Sequence, residues 1–179
     1  MTGAGPRLGR RVALLAGCLS LACACASGQS DRPADVARSG ADGVVGEAKA
    51  TIAAVAAVAP PAKRALERIF GMALSQQGDT AAFTTFVAEP TGGPFGRVEL
   101  RQDKGGPGHS IILEVREGAT LVYGDFRGDG IPAALGPTFD PAVGPAGSMT
   151  FVVTTEKYQV SYSFEAGSER LLAVGFHSR

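Results

Sequence analysis

The chain contains no tryptophan and no asparagine, and its three cysteines, Cys18, Cys23 and Cys25, all fall within the first 26 of 179 residues. Residues 27–179 therefore carry no thiol, which excludes a disulfide, a thiolate nucleophile and a Cys-ligated metal site there. No apolar run reaches the ~20 residues that a membrane-spanning helix requires. Basic clusters are missing too. The 17 Lys and Arg balance 17 Asp and Glu, but Arg7, Arg10 and Arg11 belong to an acid-free leader. The remainder holds 14 basic against 17 acidic residues, a net of −3. Nucleic-acid binding depends on clustered cations that neutralise phosphates, so no nucleic-acid partner is expected.

Catalytic signatures are equally scarce. There is no G-x-S-x-G elbow, S-x-x-K, H-E-x-x-H or Walker loop. The two histidines, His109 and His177, are not at H-x-x-x-H spacing and read as surface residues. Neither metal nor cofactor is expected. Two carboxylates distant in sequence can still meet in space, so carboxylate-dependent hydrolysis stays open as the weaker alternative to a non-enzymatic role.

What is present begins with an export signal. Three arginines in residues 1–11 precede an apolar run from Val12 to Ala26, and Ser27-Gly28-Gln29-Ser30-Asp31 then turns polar. A positive start, an apolar middle and a small-residue end make a secretory signal, so 1–26 lies outside the fold. The cysteine positions resemble the lipobox of bacterial lipoproteins. That resemblance implies a diacylated cysteine as the new N-terminus and a membrane partner through the lipid. Ser20-Leu21-Ala22-Cys23 follows an apolar run of ordinary length, which favours Cys23. Leu15-Ala16-Gly17-Cys18 matches the pattern better but sits only six apolar residues past Arg11, which makes Cys18 the alternative. Ala24-Cys25-Ala26 is a rival A-x-A cleavage site and would release a soluble periplasmic or secreted protein.

Residues 27–46, rich in Gly, Ser, Asp and Ala, read as a flexible tether, and 47–179 as a single domain. Apolar spacing suggests helices over 47–59, with Ile52, Val55 and Ala59 on one face, and over 62–76, ended by Gln76-Gln77-Gly78. From about 81 to 177 the period becomes two. Val98 and Leu100, Ile111 and Leu113, and Tyr158, Val160, Tyr162 and Phe164 each take one face of a strand, and Leu121–Tyr123 reads as a shorter one. Residues 81–88 fit a helix or a strand. The expectation is an α+β fold, with N-terminal helices on one face of an antiparallel sheet of about five to seven strands.

The Gly/Pro-rich loop 124–148 has four prolines and six glycines and no period. Loops this long are usually functional or disordered. Its start, Gly124 to Pro132, resembles the calcium loop of FG-GAP and EF-hand repeats. Asp125, Asp129 and Gly130 match, but Arg127 puts a cation where an oxygen ligand belongs and Ala133 removes the closing carboxylate. A tight Asp-Gly turn is the simpler reading. Arg127-Gly128-Asp129 is also an adhesion tripeptide in other settings, at a length that chance supplies easily. Asp125, Arg127, Asp129 and Phe139 are the binding candidates. Together these features suggest a cell-envelope lipoprotein whose non-catalytic domain binds an envelope protein or glycan or has a structural role, with a secreted binding or inhibitor protein as the alternative.

Overall fold

The computed structural model describes residues 33–60, 62–128, 138–140 and 147–179. The chain divides into Met1–Asp31 and Arg32–Arg179, and the described residues belong to the second unit. The signal at 1–26, with Cys18, Cys23 and Cys25, lies outside them, as does Asp129.

Helix α1 spans Pro33–Ala56. It opens on a proline, whose missing N–H is no loss in a first turn, and so takes in most of the segment that composition read as a tether. Ala48, Ile52 and Val55 recur at helical spacing and are buried. The helix stops at Ala56, short of the expected Ala59, as Val58 N–H tightens onto Val55 O at 3.0 Å.

Helix α2, Lys63–Phe70, is shorter than its apolar pattern suggested. Gly71 ends it in the left-handed region at φ 65°, and the N–H of Met72 reaches back to Glu67 O at 3.1 Å. Ala73 and Leu74, expected on the helix, lie beyond it, and Gln76-Gln77-Gly78 belongs to a strand. Leu74 is nonetheless buried. The Glu67 carboxylate holds this corner, accepting from Lys63 Nζ at 2.8 Å and from Leu74 N–H at 3.1 Å.

The strands are β1 (Ser75–Asp79), β2 (Phe83–Ala88), β3 (Phe95–Asp103), β4 (His109–Val115), β5 (Thr138–Asp140), β6 (Ser148–Thr154), β7 (Tyr158–Glu165) and β8 (Leu171–Ser178). They form one antiparallel sheet in the order β1-β2-β3-β4-β8-β7-β6-β5. Among the described residues seven strands have at least five residues, and three-residue β5 adds a short edge. The ambiguous stretch 81–88 is strand, because Phe83 to Ala88 pair residue for residue with Asp103 to Val98. Leu121–Tyr123 is not a strand. It keeps only an isolated bridge, Val122 to Arg170, before the single turn α3 (Tyr123–Phe126).

Register lines the apolar residues into rows. Leu100, Ile111, Phe176, Val160 and Val153 are successive partners across five strands, and so are Val98, Leu113, Val174, Tyr162 and Phe151. Most of these share one buried cluster with Ala48, Ile52 and Val55 of α1 and Leu66 of α2. The rows between them carry Glu99, Ile112, Gly175, Ser161 and Val152 on the opposite face. The protein is α+β, dominated by its sheet. The long loop also gains a reason. From β4, mid-sheet, the chain must reach β5 at the far edge, four strand spacings or about 19 Å away.

Candidate functional site

Of the loop residues singled out by sequence, Asp125 and Arg127 take separate local roles. The Asp125 carboxylate accepts the Val122 N–H at 2.8 Å and so closes α3 on itself. Arg127 is exposed and its guanidinium lies 5.6 Å from the centre of the Tyr123 ring. Phe139 is placed by its backbone in β5, opposite Met149, and its side chain is outside the described set. Among the described residues no group of His, Cys, Asp or Glu is arranged to hold a metal ion.

His109 is not a surface residue. It is 5% exposed, and its Nε2 lies 2.8 Å from the Tyr158 hydroxyl, which donates to Val58 O at 2.8 Å. A carbonyl only accepts, so the phenolic proton goes to Val58, and the Tyr158 oxygen accepts from His109 Nε2–H. Burial pushes the Tyr158 hydroxyl above its ordinary pKa of 10.0. Nearby, Lys157 Nζ donates to Ala57 O at 2.9 Å, a cation at the C-terminal end of α1. These bonds fasten the end of α1 to the β7 end of the sheet.

His177 lies on the other face. It is the cross-strand partner of Ser110, so strand alternation sends it away from His109. Its Nδ1 and Ser110 Oγ are 3.0 Å apart in an exposed pair. Beside it, Arg97 and Arg101 flank the nearly buried Glu99, with Arg101 Nε at 2.6 Å and Arg97 Nη2 at 3.3 Å from its carboxylate. Glu114 and Glu89 contact Arg97 in turn, which leaves the cluster close to charge balance.

The feature that sequence reasoning missed is a cavity of about 370 Å³ between α1 and the sheet. Ile52, Ala53 and Ala56 line it from the helix, and Val153, Val160 and Tyr162 from β6 and β7. Phe126 of α3 closes one side, near Lys49, whose Nζ is 6.0 Å from the centre of that ring. Thr155, the remaining lining residue, has its hydroxyl bonded to the backbone of Tyr158 in both directions. The walls are thus largely hydrocarbon and aromatic, with one ammonium. The sequence held a partial signal, since Lys49, Ile52, Ala53 and Ala56 share one helical face with small residues at two positions. A shallower groove of about 670 Å³ runs between α1 and α2, bordered by Arg64 and Arg68.

No protein family, no curated protein and no solved structure matches this chain.

Proposed function

We propose that this protein is a small exported lipoprotein of the bacterial cell envelope, whose domain serves as a non-catalytic binding module. The lipid sits on Cys23, with Cys18 as the alternative. In this reading α1 and α2 are a cover over one face of the sheet, and the space beneath α1 is the binding site. The observation that carries it is the cavity of about 370 Å³. It opens beside exposed Ala53, its walls are mainly hydrocarbon and aromatic, and its volume falls within the range of small-ligand pockets.

Intact mass of the mature protein tests the location. A diacyl-modified chain beginning at Cys23 or Cys18 is expected. An unmodified chain beginning at Ser27 would instead mark cleavage after Ala24-Cys25-Ala26 and a secreted protein, the second reading that this tripeptide favours.

A further inference from the structure

We propose that the space beneath α1 takes one compact, uncharged hydrocarbon of about two fused rings in size, an assignment that rests on reading this cavity as the binding site. What the polar wall groups already do decides the charge. The Thr155 hydroxyl accepts the Tyr158 N–H and donates to the Tyr158 carbonyl, both at 3.0 Å. Lys49 and Tyr162, the other described lining residues with a polar side-chain atom, are each engaged in an interaction of their own. A ligand with a carboxylate, phosphate or ammonium head would give up water there without a group waiting to replace it, which is unfavourable. A ligand without polar atoms forfeits nothing on entry. Burying its surface against Ile52, Val153, Val160 and Phe126 then favours binding.

The dimensions of the walls decide the shape. From Lys49 to Ala56 the helix advances about 10 Å. The sheet side is short too, since Val153 and Val160 are cross-strand partners and Tyr162 stands two residues further along β7, about 7 Å away. The rings of Phe126 and Tyr162, with centres 6.0 Å apart and planes at 48°, make one corner. An apolar cavity of about 150 Å³ holds one benzene, so about 370 Å³ has room for two fused rings. An extended membrane acyl chain reaches about 15 Å, half the hydrocarbon core of a bilayer, and is too long for these walls.

Equilibrium dialysis of the mature protein against naphthalene and against 2-naphthoate tests this, because the two share a ring system and differ in charge. Naphthalene is expected to saturate one site and to bind about tenfold or more tightly than 2-naphthoate. Menthol, a compact ring, displaces it at lower concentration than decanol, an extended chain with as many carbons. Ala53→Trp, at the exposed mouth of the cavity, abolishes naphthalene binding with helix content and melting midpoint unchanged. Val153→Phe, filling the cavity from β6, does the same. Naphthoate binding as tight as that of naphthalene, or tighter, overturns the uncharged assignment and leaves the binding module standing. Stronger displacement by decanol than by menthol overturns the compact shape and likewise leaves the module. Saturation by neither naphthalene nor naphthoate, or binding undiminished in both filling variants, removes the cavity as a site.

Discussion

The Tyr158 hydroxyl has one proton, and Val58 takes it. Its lone pair then serves His109, so one group satisfies a helix-end carbonyl and a buried imidazole together. Replacing it by phenylalanine leaves both without that partner. Tyr158→Phe is expected to destabilise the domain by about 1–3 kcal/mol in denaturant titrations at neutral pH. A change below a few tenths of a kcal/mol would mean that water substitutes freely. The same hydroxyl makes an alkaline prediction. Its pKa is raised in the folded protein, so above about pH 10 the unfolded chain loses the proton first. Its contribution is complete below that pH and is lost as pH rises through the folded value. Denaturation midpoints between pH 8 and 11 should therefore fall more steeply in the native protein than in Tyr158→Phe. The inward place of His109, first read as a surface residue, was legible in the alternation alone, since it stands two residues before Ile111 and four before Leu113 on that face. Its partners were not, because Val58 and Tyr158 lie 51 and 49 residues away in sequence and only the fold joins them.

At the scale of elements, helix ends depart most from what the sequence conveys. The apolar spacing of α2 runs on through Leu74, but Gly71 adopts φ 65°, which ordinary residues resist. The chain turns there and Leu74 reaches the core from outside the helix. Gly71→Ala should cost about 1 kcal/mol in stability, measured by urea unfolding. A neutral or stabilising effect would deny the cap its role. Glu67 supports the same corner. The hydrogen bond from Lys63, followed by that from Leu74 N–H, holds its carboxyl below the ordinary 4.5. A lowered pKa means stabilisation that is present above about pH 4.5 and lost as pH falls through the folded value. Glu67→Gln should thus be less stable than the native protein at pH 6 and converge with it near pH 3. A gap that persists undiminished at low pH would locate the effect elsewhere. The strands with clean alternation, β3, β4 and β7, were legible because one face is buried. The N-terminal reach of α1 was obscured by Gly40, Gly43 and Gly46, which lower helix propensity without forbidding a helix.

Across the whole molecule, α1, α2 and the sheet draw on one buried cluster. Unfolding should therefore be a single cooperative transition, with helix signal and tyrosine fluorescence coincident. Ile52→Ala is expected to lower both together by about 2–5 kcal/mol. Early loss of helix signal alone would show α1 to be an independent flap. Strand order was the least legible property, since two runs of hairpins leave open which ends meet. The candidate cavity was hidden for the same reason, as it needs α1, α3 and β6–β7 brought together.

The place of β8 has a consequence for timing. Among the described residues it is the one strand that joins β1–β4 to β5–β7, lying between β4 and β7. Each half can pair its own hairpins, but the sheet has no continuous middle until residues 171–178 arrive. Folding of this domain thus waits until residues 171–178 have been made. Under the proposed export, that delay keeps the preceding chain loose enough to thread a translocation pore before it closes into its final shape.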